Sequence, residues 1–593
     1  MGVRCARYRA VLLGAAALLF VSACASSSPS QSAQRTTASQ PERQAGVRKV
    51  INLALLTVID GFSIAASSTT SGGGLSYIEI HSQALFTADK TTGRPIPRLL
   101  TELPTIQNGG LQLTPDGKMI STYKLRPDAK WADGAPFTSK DLLFTYKTVK
   151  DPNLPIIDTG PSQLMESVSA PDDHTFVVNW SQPYYMADSI GLRAFWPLPA
   201  HLLESHYTNL IEGQKDINAF LALPYWSSEY VHIGPFRLTE FTPQVQASFD
   251  AIDNYFLGKP KVDRIVVKQF GDTSTIVAGI LAGAIDMTME SVLRGEQAQE
   301  LKRRWDADGG GKVYIGTGTT QFVSIQFDRS VQGYQPALQD KRVRQALYHA
   351  IDREAYAETI AGGITGTAAH AMLPPDNPLY PHVKDAWKLR YPYDGSQSTP
   401  LMEQAGWRQG PDGLLVNASG ERLHLETRAT ADGEARAPII ADMWKKIGIE
   451  PEIVIVPAVR VRDREYRQQF PGGEVTARGS QDAILTRLEC NEQPTPQNRF
   501  SGNNRGHWCN ADYERLVNSY RTDLREEGRA QAFKDIQSLV LEELPILLLN
   551  WEVSPAVVRK GVTAYEDDFA GGSEAGRIYG TYSRNAHEWD IKT

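Results

Sequence analysis

Apolar and polar positions recur with two different periods along the chain, and each period predicts a different kind of element. Residues 47–56 and 262–270 are rich in β-branched and aliphatic side chains, which favours strands. Residues 340–363 repeat apolar positions at helical spacing, with Asp340 as the expected N-cap and a pair of glycines at the expected end. Strands interspersed with helices predict an α/β fold.

Three further segments support this interpretation. A helix is expected from Asp512, and residues 138–146 begin another helix with a capping box formed by Thr138 and Asp141. The apolar run 539–551 is interrupted by two glutamates and a proline, so it predicts the end of a helix followed by a short buried strand.

The first residues of the chain have the composition of an export signal. Three arginines precede an apolar stretch of 12 residues, 10–21, which is too short to span a bilayer, and small residues follow it. We therefore interpret 1–23 as a signal peptide. Its end resembles the lipobox of bacterial lipoproteins, which predicts a lipid on Cys24 and a flexible, polar tether over 24–46. The alternative is an ordinary signal followed by a chance cysteine.

Length and charge narrow the class of protein. A chain of 593 residues exceeds the size at which a single core stops growing, so two or three domains are expected. The formal net charge of −7 disfavours a general nucleic-acid binder, because phosphate contacts need a basic surface.

Only two of the four cysteines are left to form a disulfide in the exported protein, since Cys5 leaves with the signal and Cys24 carries the lipid. An oxidising compartment then favours a disulfide between Cys490 and Cys509. Half of a zinc site is the alternative, but the spacing is far from C-x2-4-C and His507 is the only histidine nearby.

The sequence contains no recognisable enzyme signature. It lacks the G-x-S-x-G and H-E-x-x-H motifs, and its 11 histidines are scattered without metal-ligand spacing. Residues 306–312, DADGGGK, fit neither a calcium loop nor a phosphate loop and are interpreted as a polar turn. We expect no catalytic residues, no metal and no cofactor.

Seven stretches, in order, resemble the family 5 extracellular solute-binding proteins of bacterial ABC importers, which include oligopeptide- and dipeptide-binding proteins. The most specific is 123–149, YKLRPDAKWADGAPFTSKDLLFTYKTV, with a tight Asp-Gly turn and a large buried tryptophan expected within it. The resemblance covers about residues 47–555. The other stretches are 233–241, 253–268, 280–287, 340–354, 401–407 and 542–551.

This resemblance implies a two-lobed α/β fold like that of periplasmic binding proteins, of the class II type, which closes around a ligand by hinge motion. Lobe I would span 47–310 and include an extra subdomain at about 93–210. Lobe II would span 311–545, and 546–593 would return to lobe I as the C-terminal segment. The signature residues are expected to be structural, namely Trp131, Arg344, Asp352, Arg353 and Trp407.

The resemblance also suggests ligand-binding residues. In oligopeptide-type members an acidic side chain two residues after a cysteine pairs with the ligand ammonium, and Glu492 occupies that position here, although the family usually has Asp. A solvated loop carboxylate is the alternative. Arg487 could pair with a ligand carboxylate or with a neighbouring glutamate. Further candidate contacts are Asn503, Asn504, Trp508 and, after the first strand, Asp60.

The expected function is that of a monomeric, lipid-anchored, substrate-binding protein on the extracytoplasmic side of the membrane. It would capture peptides and deliver them to a permease driven by ATPase subunits. Two alternatives stay open. The ligand could be an oligosaccharide, an opine-like compound, or a metal or haem complex, or the protein could be a receptor no longer coupled to transport.

Overall fold

The structure is a computed structural model, and it describes residues 48–56, 59–62, 77–89, 94–154, 160–188, 190, 195–289, 292–375, 377, 379–384, 390–430, 433–461, 463–478, 484–565 and 582–592. The predicted signal peptide at 1–23, the tether at 24–46 and the lipidation site Cys24 lie outside these ranges. Among the helices in these ranges, none has the length and apolarity required to cross a membrane.

Half of the described strands belong to one large sheet. Ten strands form it in the order β16-β15-β17-β12-β18-β11-β1-β10-β9-β8, and four others form a separate sheet in the order β4-β5-β7-β6. The strands in chain order are β1 Val50–Leu55, β2 Phe86–Ala88, β3 Pro95–Pro97, β4 Leu111–Leu113, β5 Met119–Lys124, β6 Met165–Asp172, β7 Thr175–Trp180, β8 Phe236–Thr242, β9 Gln246–Ala251, β10 Arg264–Gln269, β11 Met287–Thr288, β12 Gly311–Ile325, β13 Arg408–Gln409, β14 Leu415–Val416, β15 His424–Thr430, β16 Glu450–Val456, β17 Gly473–Arg478, β18 Ile546–Arg559, β19 Val562–Thr563 and β20 Asp590–Ile591.

Helices lie between most consecutive strands of the large sheet, as expected for an α/β fold. The sheet is mixed, because β1 pairs in parallel with β10 whereas β12 pairs antiparallel with β17 and β18. The α-helices are α1 Ile78–His81, α2 Ser139–Val149, α3 Gly160–Leu164, α4 Ala200–His206, α5 Ile217–Leu221, α6 Thr273–Leu281, α7 Gly295–Asp308, α8 Lys341–His349, α9 Arg353–Ile360, α10 Tyr380–Val383, α11 Gly395–Gln404, α12 Arg436–Lys445, α13 Arg464–Gln468, α14 Ala511–Thr522 and α15 Glu526–Glu543.

Two long strands connect two separate hydrophobic cores. β12 and β18 pair from Gly311 opposite Arg559 to Ser324 opposite Ile546, with a register irregularity between Thr317 and Thr320. On one side of the irregularity β12 and β18 contribute to a core built from residues 322–551 and Tyr185, and on the other side they pack on a core of residues 51–305 and 556–591. The predicted α/β fold with two lobes is therefore confirmed, and both strands cross between the lobes.

The extra subdomain of lobe I has its own sheet and core. The four-stranded sheet packs into a third buried cluster, which contains residues between Leu85 and Ile233. The predicted turn forms here, because Gly134 adopts a left-handed φ of 94° and donates its backbone N–H to the Trp131 carbonyl oxygen at 2.9 Å. Trp131 is buried, and the Thr138–Asp141 capping box is present at α2.

The prediction of a single helix over 340–363 is wrong, because two helices, α8 and α9, form there. The first ends at His349, and the second is capped by Asp352, whose carboxylate accepts a hydrogen bond from the Ala355 backbone N–H at 3.0 Å. Ile351 stays buried between the helices. The apolar spacing therefore continues across the break, and periodicity alone could not detect it.

The other local predictions differ only in their limits. The helix predicted from Asp512 is α14, which begins one residue earlier, at Ala511. The run 539–551 is the end of α15 followed by β18, but β18 has 14 residues rather than a few. It is long because it serves both lobes. The polar turn predicted over 306–312 is shorter, because α7 continues to Asp308 and β12 begins at Gly311; Gly309, between them, is in the left-handed conformation.

The signature arginines are structural, as the sequence suggests. Arg344 donates hydrogen bonds to the carbonyl oxygens of Leu338, Gln339 and Glu543, at 2.7–3.0 Å. Arg353 bonds the Tyr391 carbonyl oxygen at 2.6 Å. Both side chains are buried and satisfy backbone acceptors that no secondary structure reaches.

Candidate ligand site

The candidate site is built on the segment 484–510 of lobe II, which joins β17 to α14 and is called the disulfide loop here. Cys490 and Cys509 form the predicted disulfide, with their Cα atoms 4.9 Å apart. A short 3₁₀ turn, Cys490–Glu492, begins the enclosed stretch, and the Cys490 backbone N–H donates to the Glu514 carboxylate at 2.8 Å. The loop is thus tied to α14 by a covalent bond and by a charged hydrogen bond.

Glu492 is held in place by Asn503 from the other end of the disulfide loop. Its Oε2 accepts hydrogen bonds from the Asn503 backbone N–H at 3.1 Å and from Asn503 Nδ2 at 2.7 Å. Gly502 makes this approach possible, because a Cβ at that position would lie 2.1 Å from the Glu492 carbonyl oxygen. Among the described residues, Oε1 of Glu492 has no hydrogen-bond donor, so a half-buried carboxylate oxygen remains available.

Arg487 also contacts Asn503. Its Nη1 donates to the Asn503 carbonyl oxygen at 3.1 Å. Burial lowers the pKa of Arg487 well below its usual value, and the neighbouring guanidinium groups of Arg505 and Arg478 lower it further. The sequence allowed a pair between Arg487 and Glu489, but this pair does not form. Arg521 instead holds both carboxylate oxygens of Glu489 at 2.8 Å.

Two predicted contacts are part of the interior of lobe II. Asn504 is fully buried, and its Nδ2 donates to the carbonyl oxygens of Glu489 and Trp508, at 2.9 and 2.6 Å. The Trp508 side chain is 6% exposed and packs edge-on against Tyr513. Both residues shape the disulfide loop in this conformation.

Asp60 lies in lobe I, away from the disulfide loop in the chain and on a different core. It is exposed, four residues beyond the last described residue of the β1 segment, and its Oδ1 accepts a hydrogen bond from Gln244 Nε2 at 2.9 Å. The structure therefore brings Arg487, Glu492 and Asn503 together and places Asp60 on the other lobe.

Sequence reasoning missed a group of arginines around one buried glutamate. Glu474, on β17, has a side-chain exposure of 1% and pairs with Arg467 at 2.5 Å and with Arg505 at 2.6 Å. Burial alone would raise the pKa of Glu474, yet Arg505 and Arg467 outweigh burial and hold it below its ordinary value. The only signal was the alternation in GEVTAR, which puts Glu474, Thr476 and Arg478 on one face, a face normally interpreted as solvated.

The extra subdomain also contacts lobe II. The Tyr185 backbone N–H donates to the Arg521 carbonyl oxygen at 3.1 Å, and the Tyr185 and Tyr520 hydroxyls lie 3.2 Å apart. The Arg529 guanidinium lies over the Tyr185 ring, 5.0 Å from its centroid. Because Arg521 also holds Glu489, this contact is linked to the start of the disulfide loop.

A cluster of metal ligands is absent from the described residues. Within the ranges that the structure describes, no group of three or more histidine, cysteine, aspartate or glutamate side chains could hold a metal ion. The cysteines are bonded to each other, so the zinc alternative does not apply to them.

Comparisons with known proteins agree with this architecture. The sequence profile described as Bacterial extracellular solute-binding proteins, family 5 Middle matches residues 94–473. A Brucella ovis protein named as an ABC transporter peptide-binding protein is 29% identical over 299 residues, which cover 50% of each chain. The match thus spans about half the length of that relative.

Two further similarities extend over most of the chain. Heme-binding protein A of Haemophilus influenzae is 24% identical over 589 residues, covering 94% of this chain and 96% of that protein. The crystal structure of an oligopeptide-binding protein from Thermus thermophilus, complexed with a pentapeptide, is similar with a TM-score of 0.70 at 24% identity, covering 91% of this chain and 96% of that one. The structural similarity shows a shared fold.

Proposed function

Because the chain belongs to family 5 of the bacterial extracellular solute-binding proteins, we propose that it is the substrate-binding protein of an ABC importer and that it captures peptides between its two lobes. In this proposal the protein is a monomer held at the extracytoplasmic side of the membrane by a lipid on Cys24. It delivers its ligand to a membrane permease driven by ATPase subunits.

The observation that carries the peptide proposal is the fixed carboxylate of Glu492. A peptide ammonium that leaves water needs a charged partner, and a carboxylate already oriented by Asn503 loses little entropy when it provides one. Oε1 supplies the acceptor, and the asparagine amide keeps Oε2 satisfied. We propose Asp60 of lobe I as a contact for the ligand backbone.

Closure of the lobes is the motion that this function requires. β12 and β18 are the strands that cross between the cores, and their register irregularity at Thr317–Thr320 is where we place the hinge. The lobe limits then shift from the predicted 310/311 and 545/546 into these two strands. The contact between Tyr185 and α14 would stabilise the closed state.

Glu492→Gln tests the amine anchor directly. We expect free peptides to lose affinity by a factor of ten or more, because a charged hydrogen bond contributes about 1.5–3 kcal/mol, whereas N-acetylated peptides keep theirs. Isothermal titration calorimetry of both peptide forms measures the difference. Glu358→Gln, an exposed glutamate on α9, is the matched control. Equal losses for free and acetylated peptides would eliminate the anchor role.

A haem ligand is the second candidate, since the haem-binding relative matches 94% of this chain whereas the peptide-binding relative matches 50%. Native mass spectrometry of the freshly purified protein separates the candidates by the mass of any ligand that co-purifies. Titration with hemin adds an optical test, in which a shifted Soret band would favour haem. A permease gene beside this one would favour transport over a receptor role.

A further inference from the structure

The arginines around Glu474 form a cluster in which Arg487 has no ion pair among the described residues. It consists of four guanidinium groups and one carboxylate, and it is called the arginine cluster below. Arg467 comes from α13, Arg478 from the end of β17, and the other two from the disulfide loop. The members are Arg467, Arg478, Arg487 and Arg505, with Glu474 at the centre.

The single carboxylate is fully used by two of the arginines. Glu474 Oε1 accepts from Arg467, and Oε2 accepts from Arg505 Nε and Nη2 at 3.0 and 2.6 Å. The next acid on the sheet, Glu426, is bonded to Arg428 at 2.6 Å. Among the described residues, Arg487 forms no ion pair with a carboxylate.

Arg487 is the member that lacks an anionic partner. Its hydrogen bond goes to a neutral acceptor, the Asn503 carbonyl oxygen at 3.1 Å, and its Nε is shielded from solvent without a hydrogen-bond partner in the described part of the chain. A guanidinium whose Nε is shielded from solvent, beside other guanidinium groups, is costly unless an anion joins it. The pKa of Arg487 is lowered by burial and by the neighbouring Arg505 and Arg478, which agrees with this crowding of cations.

The arginine cluster lies beside the two strands that cross between the lobes. Arg478 pairs with Thr320 across β17 and β12, immediately beside the irregularity where the strands cross between lobes. Arg478 and Arg487 are partly exposed, whereas Glu474 is buried beneath them. Asn503 connects the cluster to Glu492, since it bonds Arg487 through its carbonyl group and Glu492 through its amide.

We propose that the arginine cluster binds a side-chain carboxylate of the ligand, so that the preferred ligands are acidic peptides. This inference rests on the proposed function and adds its ligand class. The geometry suits it, because guanidinium groups bind carboxylates through paired hydrogen bonds. An acidic peptide would then meet Glu492 with its ammonium group and Arg487 with its carboxylate.

The first test compares two peptides of nearly identical shape, Ala-Ala-Glu-Ala and Ala-Ala-Gln-Ala, by isothermal titration calorimetry. We expect the wild type to bind the glutamate peptide at least tenfold more tightly. In Arg487→Gln this preference should disappear, so that the affinities for the two peptides differ by less than about twofold. Arg515→Gln, an exposed arginine on α14, is the control and should keep the preference. Equal affinities of the wild type for the two peptides would overturn the proposal.

A second probe separates this proposal from the peptide function. Citrate should raise the thermal midpoint of the wild type relative to sodium chloride of the same ionic strength, because a ligand that binds the native state stabilises it. Arg487→Gln should show no such rise. If neither peptide binds but citrate acts only on the wild type, the peptide function fails and the anion site stands. A rise of equal size in both proteins means that the anion binds elsewhere and overturns the site.

The variant also carries its own check on folding. Removing the charge of Arg487, which has no ion pair among the described residues, relieves its repulsion with Arg505 and Arg478, so Arg487→Gln should unfold in citrate-free buffer at the wild-type temperature or above it. If Arg487→Gln does not fold, the wild-type comparisons of glutamate with glutamine and of citrate with chloride still decide the proposal.

Discussion

Two sites, one in each lobe, bury a titratable side chain in opposite ways. In lobe II, Glu474 is enclosed with charged arginines and every oxygen of its carboxylate is paired. In lobe I, His81 is enclosed by aromatic rings, and neither ring nitrogen has a hydrogen-bond partner in the described residues. The rings around His81 belong to Phe62, Tyr77, Trp196, Tyr230, His232 and Phe249.

The difference shows how each lobe tolerates burial. Desolvation lowers the pKa of His81 from its usual 6.5 to about 3, so the ring stays neutral and packs like an aromatic residue. Glu474 instead stays charged, because Arg505 and Arg467 outweigh its burial. The site around His81 therefore depends on packing and a neutral ring, whereas the site around Glu474 depends on charge pairing. Removing the Glu474 carboxylate should cost far more than removing the ring nitrogens of His81.

Removing the central carboxylate should have the largest effect. Glu474→Gln leaves Arg467 and Arg505 without their counter-ion in a buried position, and breaking such a pair costs about 3–5 kcal/mol. Urea unfolding followed by circular dichroism measures the change in the free energy of unfolding. Glu465→Gln, on the exposed side of α13, should change it by less than about 0.5 kcal/mol. A loss below about 1 kcal/mol in Glu474→Gln would show that lobe II does not depend on this pairing.

Opening the disulfide should be the next largest effect. The double variant Cys490→Ser and Cys509→Ser removes a link across a sequence separation of 19 residues, which contributes about 3 kcal/mol on the chain-entropy model. The same unfolding assay measures it, and reduction of the wild type should reproduce the loss. Alkylation of either cysteine before reductant is added would contradict the disulfide.

Local features of this comparison could be predicted from the sequence, but contacts between distant segments could not. The turn at Asp133-Gly134, the Thr138 capping box and the cysteine pair each depend on neighbouring residues or on a count. The ion pair between Glu474 and Arg505 joins residues that are 31 positions apart in the sequence. Nothing in the local pattern GEVTAR distinguishes a buried acid from a solvated one.

The candidate site shows the same limit. Family resemblance led to Glu492 and Arg487, but only the fold reveals that Asn503 connects them. It also places Trp508 against Tyr513, because the disulfide loop folds back on α14. A tryptophan in a polar loop suggests a stacking surface in the sequence, although here it anchors the loop to the core.

Changing the lobe I ring should have the smallest effect at neutral pH and the clearest dependence on pH. His81→Phe keeps an aromatic ring and removes two unsatisfied nitrogens, so we expect it to stabilise the protein at pH 7.5 by about 1–3 kcal/mol. Because the folded-state pKa of His81 is lowered to about 3, the unfolded state binds the proton more readily between pH 6.5 and 3.

The free energy of unfolding of the wild type should therefore decrease as the pH falls below about 6.5. His81 contributes at most about 1.4 kcal/mol per pH unit to this decrease, and it contributes nothing above about pH 6.5. His81→Phe should show a shallower slope in urea titrations at pH 7.5, 6.0 and 5.0. The slope should not vanish, since burial also lowers the pKa values of His232 and His587. The control is His174→Phe at an exposed position, which should leave the slope unchanged. An unchanged slope in His81→Phe would mean that this ring is charged or hydrated in solution, and the contrast between the lobes would be lost.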